Sequence, residues 1–241
     1  MKFVSIDIET TGLGPYDDQI LEIGLVAYDS DKPFVQSPGN SLRIVLCQER
    51  VEGNIFAINM NASILAEIKE YNGYLEKQED KVYIEEVKDD MTVLYVKSDA
   101  SFCSFAEVIT DTIEDFYSRN DCFVKESWER SPKITITGKN YSSFDAKFLS
   151  AHPVFNDVIN KKARHRVMDI GPLFLDITKD LTIPDLKTCS ERAGLTDTTV
   201  THYSVDDAVQ VVKCLEAYYK KRKQEEFDSN SFPVMPLEQL G

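Results

Sequence analysis

Asp7 and Glu9 stand two residues apart in the opening segment MKFVSIDIETTG. If that segment is a strand, alternation sends both carboxylates to one face. Two acids at a strand end either meet solvent and serve the Thr10-Thr11-Gly12 turn, or hold a hard divalent cation, which takes carboxylate oxygens at about 2.1 Å and few other protein ligands. Asp145 in GKNYSSFDAKFL and Asp207 in THYSVDDAVQVV leave a similar choice open, because each stands where a helix begins and a first-turn acid complements the helix dipole. Ser204 is the expected cap of the second of these helices. His202, just before it, reads alone as a surface histidine.

These groups need elements to hold them. Lys2–Ile8 is mostly apolar and too short before the Thr-Thr-Gly turn for a helix, so it reads as a buried central strand. The β-branched runs 20–28 (ILEIGLVAY) and 41–46 (SLRIVL) follow across loop-forming residues, which predicts a three-strand antiparallel meander. Ile64, Leu65, Ile68, Tyr71 and Leu75 recur at helical spacing over 61–77. VYIEEV and TVLYVK flank Lys88-Asp89-Asp90 and predict a β-hairpin inserted at 81–98. A capping box at Ser104–Glu107 opens an amphipathic helix bearing Phe105, Ile109, Ile113 and Phe116. A strand over 133–137, a helix capped by Ser142 or Ser143, a short strand at 166–169 and a helix over 184–193 come next. The closing helix spans 204–223, with 224–241 as a tail. Strands in a meander, then alternating helix and strand, imply one α/β domain with a mixed sheet and helices on both faces.

Composition narrows the class of protein. The 241 residues are 42% hydrophobic and 28% charged, ordinary for a globular chain and unlike a disordered or fibrous one. No apolar run has the length of a membrane span and the start lacks the pattern of a secretory signal, so a cytoplasmic protein is expected. Five cysteines without a CxxC pair argue against a disulfide framework or zinc knuckle. A net charge of −14 would ordinarily count against a nucleic-acid partner, an objection that weakens if acids bind divalent cations.

Taken in order, SIDIETTGL with QILEIGLVAYD, the N-x-x-x-F-D of 140–145 and the H-x-x-x-x-D-A of 202–208 resemble the three motifs of the DEDD family of 3′-5′ exonucleases, over residues 3 to about 215 apart from the hairpin. The resemblance implies a ribonuclease H-like fold that gathers Asp7, Glu9, Asp145 and Asp207 around two magnesium or manganese ions. It also implies two-metal hydrolysis of the 3′-terminal phosphodiester and release of nucleoside 5′-monophosphates. By family precedent Asp7 bridges both ions, Glu9 and Asp207 help hold the ion that binds the nucleophilic water, and Asp145 acts through metal-bound waters. His202 is then the general base, since imidazole titrates near neutral pH. The family's other branch has tyrosine four residues before the last aspartate, and Tyr203 stands there. Ser204, Ala208 and the phenol's high pKa favour the histidine branch.

At the substrate end, the resemblance places backbone groups of Thr10, Thr11 and Gly12 at the terminal 3′-hydroxyl, Leu13 as a wedge against the base and Phe56 as a stacking platform. Phe56 also fits plain core packing. Asn140 contacts substrate or orders its loop. Lys139, Lys147, Lys161, Lys162, Arg164 and Arg166 form either a local cationic rim or a solvated surface. Lacking a long basic stripe, the chain suits single-stranded DNA or RNA 3′ ends. Many family members are homodimers, an expectation the hairpin could support or block. The alternative is a non-catalytic nucleic-acid-binding or proofreading-type accessory subunit, docking a protein partner through FPVMPLEQL in the tail.

Overall fold

The structure, a computed structural model, describes residues 1–78, 81–98 and 101–230, with side chains through 225. Strand β1 (Lys2–Thr10) is followed by β2 (Ile20–Asp29) and β3 (Ser41–Cys47), paired antiparallel as expected. Helices α1 (Ile55–Met60) and α2 (Ala62–Glu76) lead to the hairpin β4 (Tyr83–Lys88) and β5 (Met91–Lys97). Next come α3 (Phe102–Arg119), β6 (Ile136–Gly138), α4 (Asp145–Ala151), α5 (Pro153–Val158), β7 (Met168–Asp169), α6 (Leu186–Ala193) and α7 (Ser204–Asn230). The seven strands form one mixed sheet in the order β4-β5-β3-β2-β1-β6-β7. β1 is therefore internal, with an antiparallel neighbour on one side and parallel β6 on the other.

Alternation along β1 divides the core. Val4, Ile6 and Ile8 pack with Phe105, Ile109, Ile113, Phe148 and Phe155 from α3, α4 and α5. Phe3, on the other face of β1 with Ser5 and Asp7, packs with Val205, Ala208, Val209, Val212 and Leu215 of α7. Each larger apolar side chain so buried contributes roughly 1.5–3 kcal/mol, which is what holds the start of α7 against the sheet. Asp7 and Glu9 share that second face. Gly24 of β2 lets the helix come close, since a Cβ there would overlap the backbone of Ser204.

Several boundaries differ from expectation. The hairpin is present, but it does not stand apart: β5 pairs parallel to β3 from Leu42↔Thr92 to Cys47↔Lys97 and so widens the main sheet. α1 is a six-residue helix capped by Asn54, too short to show periodicity. α3 begins at Phe102 with Ser101 as its cap, accepting the Ser104 N–H, so Ser104 does not open it. Neither Ser142 nor Ser143 caps α4; Ser143 Oγ instead donates to the Asn140 carbonyl at 2.9 Å. α7 runs on to Asn230, through the good helix formers Gln224 and Glu225 and short of Pro233, so the first part of the expected tail is helical. The apolar peptide FPVMPLEQL lies outside the described residues. Among those described, no helix is long and apolar enough to cross a membrane.

Candidate active site

The carboxyl end of β1, the start of α4 and the start of α7 meet at one point. Ligand atoms of Glu9, His202 and Asp207 lie within 4.8 Å of one another. Asp145, 2% exposed, accepts the backbone N–H of Ile8 at 3.1 Å, which docks α4 against the strand that carries Asp7 and Glu9. Asp7 is pushed well above the usual carboxylate range by burial and then by Asp145, Glu9, Asp207 and Glu22. Glu9 is raised to about 8 by burial, Glu22 and Asp207, with the Asn61 amide opposing. Asp145 is raised to about 7, chiefly by burial, and Asp207 to about 6, again chiefly by burial, although the Thr201 backbone N–H pulls it down.

Burial is the largest cause at each of the four, and neighbouring carboxylates add to it most at Asp7 and Glu9. Divalent cations would offset both, and oxygen-rich donors are the chemistry that hard cations select, so the residues present fit the metal that the sequence pattern implies. The tight trio nevertheless includes an imidazole, so His202 sits among the donors as well as beside them.

The Thr10-Thr11-Gly12 turn is rigidly held. Its carbonyls at Thr10 and Thr11 accept the Asn61 side-chain amide at 3.0 Å and the Asn54 N–H at 2.7 Å, and Thr11 N–H donates to Gln19 at 2.9 Å. Gly53 is obligatory, because an added Cβ would overlap the Thr11 backbone, whereas one at Gly12 would only displace the Asp18 carboxylate. The Asn54 contact also fastens α1 to the turn. Phe56, at 80% exposed, projects from that helix, and Leu13 is 84% exposed on the turn itself, so core packing does not account for Phe56. On the other side Asn140 adopts φ +62° and donates its N–H to Asp169 at 2.9 Å.

His202 itself adopts φ +57°. His202 lies with Glu9 and Asp207, and the Tyr203 ring lies under the Arg43 guanidinium, 5.1 Å from carbon to centroid. Ser204 is buried at the start of α7, and its N–H donates to Glu22 at 2.6 Å.

Three supporting residues escaped sequence reasoning. Glu22 sits opposite Glu9 in the β1–β2 register and is fully buried against Arg43. A charged residue inside the apolar run ILEIGLVAY was its only signal. Asn61 steadies Thr10 and Glu9, and Asp169 receives the N–H groups of Asn140 and Gly171 while adding to the charge felt by Asp145. Of the six cations that could form a rim, three sit in ion pairs: Lys161 with Asp157, Lys162 with Glu114 and Arg164 with Glu129.

No protein-family model matches the chain, and no curated protein sequence matches it. Solved structures do. The nuclease domain of 3′hExo, a DEDDh family member determined bound to rAMP, aligns with a TM-score of 0.53 at 11% identity, covering 91% of this chain and 92% of that one. E. coli exonuclease I in complex with a 5cy-dT13 oligonucleotide aligns with a TM-score of 0.52 at 12% identity, covering 95% of this chain. The chain spans 42% of the length of that second protein. The likeness establishes a shared ribonuclease H-like fold: a mixed sheet flanked by helices.

Proposed function

We propose that the protein is a divalent-metal-dependent 3′-5′ exonuclease that removes nucleoside 5′-monophosphates from single-stranded DNA or RNA ends. The observation that carries this is the convergence of Asp7, Glu9, Asp145 and Asp207 with His202 at the carboxyl end of an internal strand. Asp7, Glu9, Asp145 and Asp207 would hold the cations, two per site, with His202 at their edge. Bound there, the cations supply charge neutralisation at the scissile phosphate and a more acidic water, as in other in-line phosphoryl transfers.

The chain's own groups do the rest. His202 Nδ1 or Nε2 takes the proton from the attacking water, and the partly exposed loop before α7 lets the ring reach substrate. Burial of Asp145 and Glu9 excludes competing water and fixes both carboxylates before substrate arrives. The clamped turn at Thr10–Gly12 presents a rigid edge to the terminal ribose, Leu13 wedges against its base and Phe56 offers an exposed ring for stacking. Asn140, held by Asp169, lines the opposite side. Structural neighbours determined with rAMP and with an oligothymidylate support a single-stranded substrate.

The test is digestion of matched 5′-labelled single-stranded DNA and RNA with magnesium, manganese or EDTA, beside Asp7→Ala. Stepwise shortening from the 3′ end that vanishes with chelator and in the variant is the expected result. No shortening of either polymer would overturn the proposal in favour of a non-catalytic binding role.

A further inference from the structure

We propose that Arg43, on β3 and outside every motif that carries the chemistry, is a positioning residue that sets the His202 loop. The inference rests on the nuclease reading of the site for its effect on rate, but not for its geometry. Arg43 is 6% exposed and lies between two carboxylates. Its Nε donates to Glu22 at 2.7 Å and its Nη1 meets Glu67 at 2.9 Å. The other oxygen of Glu22 accepts the backbone N–H of Ser204 at 2.6 Å, and the guanidinium plane covers the ring of Tyr203.

Both residues that follow His202 are thus tied to Arg43, Tyr203 through its ring face and Ser204 through Glu22. His202 holds a left-handed φ of +57°, an uncommon conformation that histidine adopts more readily than most residues and that its two tied neighbours fix here. Gly24 completes the seat by letting Ser204 lie flat on β2. Lysine could not replace this arginine, because a single ammonium cannot serve two carboxylates and stack as a planar fork does. The hairpin acquires a role in the same arrangement. Tyr95 of β5 donates to Glu67, and Lys88 of β4 donates to the hydroxyls of Tyr95 and Tyr71, whose rings stack at 3.4 Å. The added strands brace Glu67, Glu67 braces Arg43, and Arg43 braces the loop.

Arg43→Lys separates positioning from mere folding by two measurements. Amide hydrogen exchange needs no activity: exchange at Ser204 is expected to accelerate about tenfold, while Leu25 and Ile44 in the sheet keep their wild-type rates. In steady-state digestion, kcat is expected to fall about tenfold with KM within about twofold, and the same substitution in a His202→Ala background is expected to cost nothing further. Unchanged exchange at Ser204, or losses that multiply in the double variant, would overturn the proposal. Should Arg43→Lys fail to fold, Tyr203→Leu removes the ring beneath the guanidinium and leaves the Glu22 pair intact; it is expected to lower kcat likewise, and wild-type kcat would overturn the proposal. A wild-type protein that digests neither polymer would sink the nuclease reading alone, with Ser204 exchange still deciding the geometry.

Discussion

Stripped of divalent cations, the protein should lose stability as pH rises from about 6.5 to about 8. Glu9 is raised to about 8 and Asp145 to about 7, whereas carboxyls in an unfolded chain titrate near 4. Through this window the folded chain binds more protons than the unfolded one, so the slope of unfolding free energy against pH is negative. One proton is worth about 1.4 kcal/mol per pH unit, so Glu9 loses about 2 kcal/mol across the window and Asp145 a further fraction before it is fully ionised. Together these come to about 2–3 kcal/mol, or roughly 5–10 °C in melting temperature for a chain of this size. Groups of opposite sign do not interfere. Asp176 and Asp180 are held below the usual range by their partners, so their contribution is complete above about pH 4, and His152, lowered by burial, acts only below about pH 6.5. Calorimetry in EDTA across the window, repeated with magnesium, measures it; the metal should raise the melting temperature more at pH 8 than at pH 6.5. Glu9→Gln should flatten the EDTA slope and raise the melting temperature at pH 8 while abolishing digestion. A flat or rising melting temperature in EDTA, or a slope that survives Glu9→Gln, would refute the crowding argument.

Tyr203→Phe keeps the ring under Arg43 and should retain activity within about threefold, whereas His202→Ala should cost about 10²–10⁴-fold in kcat, the ordinary worth of a general base; the reverse ranking in single-turnover digestion would reassign the base. Phe56→Ala should raise KM about tenfold or more with an unchanged melting temperature, because the ring is exposed and stacking is worth about 1–3 kcal/mol per base. Digestion rates below saturation should fall gently with salt, with a log–log slope no steeper than about −2, since Lys161, Lys162 and Arg164 already carry acidic partners; a slope near −5 would reveal phosphate contacts formed by other cations.

What could be read from the sequence divides along local and non-local lines. Asp7 and Glu9 are legible because alternation in β1 is local, and Asp207 with His202 because both lie within a turn of the start of α7. Asp145 is legible only by its place after a strand and a glycine. Glu22 and Arg43 were visible as charges in apolar runs, but their pairing depends on the offset of β2 against β3, where Gly24 stands opposite Arg43, and no spacing along the chain encodes that. The hairpin's merger with the sheet has the same cause. Its turn is local, whereas the parallel pairing of β5 with β3 spans the whole of α1 and α2.

The supporting residues explain how an acidic chain can carry so dense an acidic site. Glu22 is raised by burial yet held by Arg43 and by the Ser204 N–H, so it acts as a fixed charge that anchors α7. Arg43 is therefore committed to the fold and is not free to neutralise Glu9 or Asp207. A guanidinium among the site acids would stabilise the empty protein and compete with cations for the same oxygens. Placed two strands from β1, it satisfies the buried carboxylate that seats the loop and leaves the cluster of Asp7, Glu9, Asp145 and Asp207 undercompensated. The instability expected in EDTA and the affinity expected for divalent cations then have one origin: the buried guanidinium of Arg43 is turned to Glu22 and the loop that carries His202.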